Sequence, residues 1–288
     1  MITMELVWLG QPACHDIALV GGKVANLSHL AADLPIPPGF CLTTGAFVQN
    51  QRATTVPPTI YEMIGSAYDI LAEHCQLAEP SVAVRSSAVD EDGQTSSYAG
   101  QYETYLNIIG VEAIAEAVAR CWMSAHSERV LAYRRQRGQP TNNIALAVLV
   151  QQLVAADISV VAFSANPVTG DREQIVINAN WGLGESVVSG TVTPDTHIVR
   201  KLDLTVIERN IADKQRMTVI VPNGVQEVTV PRPMRRQRVM SDAQAVEVAQ
   251  LARALETQMG WPVDIECAYQ EEKLYLLQCR PISTMRNC

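Results

Sequence analysis

The last two predicted strands carry four polar side chains at a spacing that suits a metal site. Asp264 and Glu266 lie at i and i+2 on one strand, and Gln278 and Arg280 have the same spacing on the next. Residues two apart on a strand point to the same face of a sheet. Two carboxylates and an amide oxygen are hard donors suited to Mg2+, and an arginine beside them suits a nucleotide phosphate.

The register of this hairpin decides whether the four side chains meet. A hairpin symmetric about Glu272 pairs Glu266 with Gln278 and Asp264 with Arg280, which places all four on one face. A solvent-facing hairpin with cross-strand salt bridges would show the same residue pattern. Both interpretations remain open at this point.

Two segments nearer the N-terminus carry groups that could bind phosphate. Gly21, Gly22 and Lys23 precede a helix, where backbone amides and a lysine could meet an anion, although an ordinary helix-entry turn has the same composition. Arg85 ends an apolar strand and precedes a segment rich in serine and glycine, 86–100, which we predict to be an exposed loop. Arg85 could hold a phosphate there, or the loop could simply connect two strands.

Other kinds of chemistry have little support in the sequence. The seven cysteines are scattered without a C-x-x-C pair, and no histidine stands at helical spacing from another, which argues against a disulfide framework or a transition-metal site. The segment 182–185, GLGE, does not match the dinucleotide fingerprint, and the nucleophile-elbow pattern G-x-S-x-G is absent. Rossmann-type binding and serine hydrolysis are therefore not indicated.

The composition is that of an acidic globular protein. The 22 basic and 30 acidic residues give a net charge of -8, which argues against binding to a nucleic-acid backbone, and 48% hydrophobic residues suffice for a core. The longest apolar run, 144–150, is far too short to cross a bilayer, and the first ten residues lack the basic cluster of a secretory signal. We expect a cytoplasmic protein.

Helices and strands that position these groups can be read from periodicity and from turn residues. We predict a helix after Lys23, two helices over 111–137 and a helix capped by Ser241, with strands at 82–85, 102–107, 144–154, 159–163, 174–178, 263–269 and 274–279 and short strands over 196–230. Arg134, Arg135 and Arg137 are interpreted as helix C-terminal residues that face partly negative carbonyl groups. The length predicts two lobes, approximately 1–107 and 108–288, with a cleft.

Eight motifs occur in a fixed order over nearly the whole chain. They are 21–27 (GGKVANL), 37–40 (PPGF), 84–88 (VRSSA), 98–104 (YAGQYET), 166–170 (NPVTG), 182–185 (GLGE), 264–266 (DIE) and 277–281 (LQCRP). Together they resemble the N-terminal ATP-binding domain of the phosphoenolpyruvate synthase, pyruvate phosphate dikinase and rifampicin phosphotransferase family. The resemblance implies an α+β fold, ATP-grasp-like, in which one nucleotide-binding unit holds ATP and Mg2+ between two lobes.

The resemblance also implies roles for particular residues. Lys23, Arg85 and Arg280 would contact phosphates as catalytic residues, and Glu266 and Gln278 would hold Mg2+. Further nucleotide contacts would come from Gly100 and Thr104 in the phosphate-covering segment, Gln151 near the adenine, Arg129, Glu185 and Asp264, the last of which would support the metal site.

The activity implied by the resemblance is that of a dikinase-type phosphotransferase. ATP would pass a phosphoryl group to a histidine on a separate swivelling domain or chain, with release of AMP, and an acceptor-substrate domain would receive the group. The family's glycine-rich Thr-Ser-His segment is not found, and Ser28-His29 lies inside the first predicted helix, where we interpret it as structural. Val160 stands where the family usually has glycine and is expected to shift a strand beside the nucleotide.

Two other functions remain compatible with the sequence. The chain could be a nucleotide-binding regulatory module without turnover, or a stand-alone kinase acting on a small molecule.

Overall fold

The computed structural model describes residues 5–51, 53–90, 103–141, 144–222 and 224–282. The chain forms two compact units, Met1–Leu153 and Val154–Cys288. Within the ranges just given, none of the helices combines the length and the apolar composition needed to cross a membrane.

The first unit packs helices against a five-stranded antiparallel sheet. Its strands are β1 (Leu6–Trp8), β2 (Gly39–Leu42), β3 (Val82–Ala88), β4 (Thr104–Ile108) and β5 (Leu146–Gln152), in the order β1-β2-β5-β3-β4. Its α-helices are α1 (Ile17–Leu30), α2 (Thr44–Asn50), α3 (Pro58–Cys75), α4 (Val111–Ser124) and α5 (Glu128–Gln136). Phe40, Phe47 and Trp122 are among the largest side chains in the core of this unit.

The central strand β5 determines where the two units divide. Residues 146–150 form a continuous apolar run without exposed surface, which is typical of a strand buried on both faces. Leu149 pairs with Cys41 of β2 on one side and with Arg85 of β3 on the other. The units therefore divide after Leu153, whereas we expected the lobes to divide near residue 107.

Strand β3 extends further than the sequence suggested. Ser86, Ser87 and Ala88 were expected to begin an exposed loop, but they continue the strand and have no exposed surface. They are buried because they pair with the apolar residues of β5, Ser86 opposite Val148. Gly100 and the rest of 91–102 lie outside the described residues.

The second unit packs helices against a six-stranded antiparallel sheet and carries a separate hairpin. Its strands are β6 (Ile158–Phe163), β7 (Gln174–Trp181), β8 (Asp195–Arg200), β9 (Val206–Asn210), β10 (Arg216–Val221), β11 (Gly224–Thr229), β12 (Val263–Gln270) and β13 (Lys273–Pro281). The larger sheet has the order β13-β12-β6-β7-β8-β9, and β10 pairs only with β11 among the named strands. The α-helices of the second unit are α6 (Glu185–Val188) and α7 (Asp242–Met259).

Helix α7 begins at the cap that the sequence predicted. The Ser241 hydroxyl accepts a hydrogen bond from the Gln244 amide at 3.2 Å, and the Gln244 side chain accepts one from the Ser241 amide at 2.8 Å. This reciprocal arrangement satisfies two amides that a helix leaves without partners. Gly260 ends the helix in the left-handed conformation, at φ 77°. The α+β class with antiparallel sheets is confirmed.

Candidate functional site

The glycine turn before Lys23 is fixed by its contact with β3. Gly21 adopts φ 76° and ψ 165° inside α1, a conformation that only glycine adopts readily. A Cβ atom at this position would lie 2.3 Å from the Ser87 carbonyl oxygen, so a side chain has no room. The Ser87 hydroxyl also accepts a hydrogen bond from the Val24 amide at 3.3 Å. The turn and the strand therefore position each other.

Lys23 is buried at the same contact. Its ammonium donates to the Ser86 carbonyl oxygen at 3.1 Å, and 8% of the residue is exposed. The Cys121 thiol of α4 interacts electrostatically with Lys23, but burial raises the pKa of this thiol to about 12. The thiol is therefore neutral, and the predicted contact of Lys23 with phosphate stays a prediction.

Arg85 and Thr104 stand opposite each other on β3 and β4. Arg85 directly precedes Ser86, whose carbonyl oxygen Lys23 contacts, so three of the residues predicted to contact the nucleotide meet at the middle of β3. Arg129 of α5 contacts Glu103, which precedes Thr104, with 3.4 Å between the guanidinium and the carboxylate. Both side chains of this pair are about half exposed, and such pairs contribute little stability.

Gln151 lies on β5 and is almost fully buried. Its amide nitrogen donates to the Pro37 carbonyl oxygen at 3.0 Å, and the residue pairs with Gly39. A Cβ atom on Gly39 would lie 2.6 Å from the Val150 carbonyl oxygen. Gln151 thus fixes the PPGF motif against the sheet, and its predicted contact with adenine stays a prediction.

The terminal hairpin has the predicted register at its polar residues. Asp264 lies opposite Arg280, and Glu266 lies opposite Gln278. The Arg280 Nε and Nη2 atoms both lie 2.8 Å from Oδ2 of Asp264. This is the cross-strand salt bridge of the alternative interpretation, but it is not solvent-facing, because the Asp264 and Arg280 side chains are 9% and 18% exposed.

The turn of this hairpin lies at 270–273, between the two predicted strands, but its centre differs from the register that is symmetric about Glu272. Gln270 pairs with Lys273, and Glu271 and Glu272 form the turn with φ 48° and 68°. The centre therefore lies between these two glutamates and not at Glu272. A bulge between Glu266 and Cys267 shifts the register by one, so that Cys267 lies opposite Leu276 and Glu266 lies opposite Gln278, which restores the expected pairs.

The opposed pair Glu266 and Gln278 fits a magnesium ion. A carboxylate and an amide oxygen are donors that Mg2+ accepts, and a protein commonly supplies only one or two ligands while phosphate and water supply the others. The Asp264 carboxylate accepts a hydrogen bond from Arg280, so it orients the arginine next to this pair. Asp264 therefore supports the pair through Arg280.

Glu185 and Val160 lie elsewhere in the same unit. Glu185 begins α6 and is exposed. It follows Gly182, where a Cβ atom would lie 2.3 Å from the Thr218 carbonyl oxygen, so β10 sets the position of this turn. Val160 is buried in β6 and pairs with Cys267 and Ala179 in ladders without a register shift, and the expected effect of Val160 on the strand stays a prediction.

A buried ion pair in the second unit was not predicted from the sequence. The Lys214 ammonium lies 2.6 Å from Oδ1 of Asp195, and neither side chain is exposed. Asp195 also accepts hydrogen bonds from the amides of Ala212 and Val239, each at 2.9 Å. The two charged residues are far apart in sequence and belong to no motif that we identified, so no local signal could have paired them. They fix β8 to the segments that precede β10 and α7.

Comparison with known proteins identifies the relatives of this chain. Residues 49–287 match the family described as pyruvate phosphate dikinase, AMP/ATP-binding domain. A probable phosphoenolpyruvate synthase from Methanocaldococcus jannaschii is 36% identical over 98% of this chain, and the phosphoenolpyruvate synthase of Pyrococcus furiosus is 34% identical over 97%. A rifampicin phosphotransferase from Streptomyces sviceus is 35% identical over 94%. The chain spans 27%, 44% and 35% of the lengths of these three relatives.

Proposed function

The chain belongs to the pyruvate phosphate dikinase AMP/ATP-binding domain family, and we propose that it binds Mg-ATP and passes a phosphoryl group to a histidine on a separate swivelling domain or chain, with release of AMP. The observation that carries this proposal is the register of the terminal hairpin. It sets two oxygen donors, Glu266 and Gln278, beside the charged pair Asp264 and Arg280.

The proposed roles follow from charge and position. Lys23, Arg85 and Arg280 neutralise phosphate oxygens, and Glu266 and Gln278 would hold Mg2+, which when bound would neutralise charge on the phosphates. Thr104, Gln151, Arg129 and Glu185 are assigned as further nucleotide contacts. Phosphoryl transfer depends chiefly on positioning and on charge neutralisation, so this set requires no nucleophile of its own.

A separate acceptor agrees with the pattern of similarity. The relatives named phosphoenolpyruvate synthase and rifampicin phosphotransferase differ in the product or substrate in their names, yet they are 36% and 35% identical to this chain. Near-equal similarity is expected if this part of each protein handles the shared nucleotide and another part binds the final acceptor. We therefore place acceptor specificity outside this chain.

The test begins with titration calorimetry of the purified chain with Mg-ATP. The chain is then incubated with Mg-ATP and a histidine-bearing swivelling domain taken from one of the relatives. We expect AMP and an acid-labile phosphoprotein. ATP loses two phosphoryl groups in giving AMP: one remains on the histidine, and the other passes to water or to inorganic phosphate. The assay therefore also measures inorganic phosphate and pyrophosphate.

Each other outcome points to a different function. Absence of Mg-ATP binding would refute the proposal. Binding without any product, with a partner that is active in its own enzyme, would favour a regulatory nucleotide-binding module. ADP as the only nucleotide product would favour a stand-alone kinase acting on a small molecule.

A further inference from the structure

Arg134 of α5 is a buried cation with defined partners. Its Nε atom donates to the Pro140 carbonyl oxygen at 2.9 Å, and its Nη1 atom lies 2.5 Å from Oδ2 of Asp90. The Arg134 side chain is 5% exposed and that of Asp90 is 26% exposed. We interpreted Arg134 from sequence as one of several helix-terminal arginines, but burial and the ion pair distinguish it from Arg135, which is exposed.

Helix α5 contacts the chain on both sides of the segment 91–102. Arg134 holds Asp90, the last described residue before that segment, and Arg129 contacts Glu103, the first described residue after it. The two arginines are five residues apart, about 7.5 Å along a helix. One rigid element therefore reaches the end of β3 and the beginning of β4.

Strand β4 needs a restraint of this kind because its own pairing is weak. It is the edge strand of its sheet, so it pairs with β3 alone among the strands. The pairing is short and is interrupted by an irregularity between Val82 and Val84. The last pair of this ladder, Arg85 with Thr104, joins two of the residues that we assign to the nucleotide.

We propose that Arg134 is a positioning residue for nucleotide binding: its buried ion pair with Asp90 fixes the end of β3 against α5, which keeps Arg85 and Thr104 aligned. This inference rests on the proposed function, because it concerns the same phosphate contacts. The contact of Arg129 with Glu103 is more exposed and contributes less.

The experiment measures the Mg-ATP dissociation constant of the intact chain and of five variants by calorimetry. Arg134→Met removes the cation, Asp90→Asn removes the carboxylate charge, and the double variant removes both. Arg134→Lys keeps a cation for Asp90. Arg135→Met is the matched control, since it makes the same change at the next, exposed residue of α5. Chemical unfolding of each variant reports the fraction folded under the binding conditions.

We expect Mg-ATP to bind about 10- to 100-fold more weakly to Arg134→Met and to Asp90→Asn, because small displacements of binding groups have effects of that size. The double variant should bind Mg-ATP about as weakly as Arg134→Met alone, since in the proposal both changes weaken binding through the loss of the same ion pair. Arg134→Lys should recover part of the loss, and Arg135→Met should bind like the unaltered chain.

A purely structural role would lower the free energy of unfolding and leave the affinity of the folded protein unchanged. Unchanged affinity for Mg-ATP in Asp90→Asn would overturn the inference even if Arg134→Met does not fold. Additive losses of affinity in the double variant would overturn it as well. If the unaltered chain binds no Mg-ATP, the proposed function fails, and the inference fails with it. Binding by the unaltered chain together with unchanged affinity in the variants refutes the inference alone.

Discussion

Asp264 contacts Arg280 through a single carboxylate oxygen: Oδ2 accepts a hydrogen bond from Nε at 2.8 Å and lies 2.8 Å from Nη2 in an ion pair. The pair lies directly across the terminal hairpin and is largely shielded from water. A carboxylate engaged in this way holds the guanidinium in one orientation. The oxygen donors Glu266 and Gln278 form the next pair on the same face of the hairpin. In the site that we propose, one pair of the hairpin orients a cation and the other offers ligands to a metal.

The first prediction concerns this orientation. Asp264→Asn should weaken Mg-ATP binding about tenfold, because a hydrogen bond to a charged group contributes about 1.5–3 kcal/mol and Arg280 would lose its fixed position. Titration calorimetry at constant ionic strength measures the effect. Asp203→Asn is the control, since it removes an exposed ion pair with Arg200 in the same unit. Equal affinity in Asp264→Asn and the unaltered chain would show that Arg280 does not depend on this carboxylate.

The second prediction concerns the glycine turn. Gly21→Ala should lower the free energy of unfolding by at least about 1–3 kcal/mol, the cost of a non-glycine residue in such a conformation, and the contact with Ser87 should add to it. Nucleotide affinity should fall as well, because Lys23 follows the turn by two residues. Chemical unfolding monitored by circular dichroism measures the stability.

Gly65→Ala is the matched control for this substitution. Gly65 lies within α3, and the nearest atom to a Cβ there is 3.8 Å away, an ordinary contact. The same change should therefore stabilise the protein by about 0.5–1 kcal/mol. Similar losses in the two variants would contradict the assignment of Gly21 to a close approach.

The hairpin shows which structural features could be predicted from the sequence and which could not. Alternation of polar residues predicted the pairs Asp264 with Arg280 and Glu266 with Gln278, and the structure confirms them. The predicted centre at Glu272 was wrong by half a residue, and the bulge between Glu266 and Cys267 compensates for it. A bulge depends on main-chain hydrogen bonds, so side-chain alternation does not reveal it.

Long-range pairing explains the other differences. The compact units divide after Leu153 because β5 joins β2 and β3, which precede it by many residues, and periodicity reports only local structure. The burial of Arg134 and the pair of Asp195 with Lys214 likewise join segments distant in sequence. Helix limits were easier to predict, because caps such as Ser241 and Gly260 act within a few residues.

The third prediction concerns the buried ion pair. Asp195→Asn and Lys214→Met should each destabilise the chain by about 3–5 kcal/mol, since each leaves the other group buried without its charged partner. Unfolding in urea measures the loss. Arg200→Met, which removes an exposed ion pair from the same strand β8, should cause no measurable change. A small effect in both buried variants would indicate that water reaches the pair.

The fourth prediction concerns the metal. Removal of Mg2+ with a chelator should weaken ATP binding by the unaltered chain, and Glu266→Gln or Gln278→Leu should reduce this dependence on Mg2+. Calorimetry of ATP binding with and without Mg2+ measures this dependence in each variant. Glu272→Gln, at the exposed turn of the same hairpin, is the control and should retain the full dependence. An unaltered response to Mg2+ in both hairpin variants would remove Glu266 and Gln278 from the metal site.

The fifth prediction concerns the pH dependence of stability. His197 on β8 has no exposed surface, and neither ring nitrogen has a hydrogen-bond partner among the described residues. Burial lowers the pKa of this histidine; the nearby Asp195 and Asp242 act to raise it, and Arg209 and Arg238 act to lower it further. Because the folded-state pKa lies below the unfolded value of about 6.5, the unfolded chain takes up the proton first as the pH falls.

Stability should therefore be fully retained above about pH 6.5 and should be lost as the pH falls from there toward the folded-state pKa. His197→Leu should unfold at nearly the same urea concentration as the unaltered chain at pH 8 and should lose less stability between pH 7 and pH 5. The difference between the two pH profiles isolates His197 from the other histidines. Parallel profiles would mean that His197 gains a proton as easily in the folded protein as in the unfolded chain.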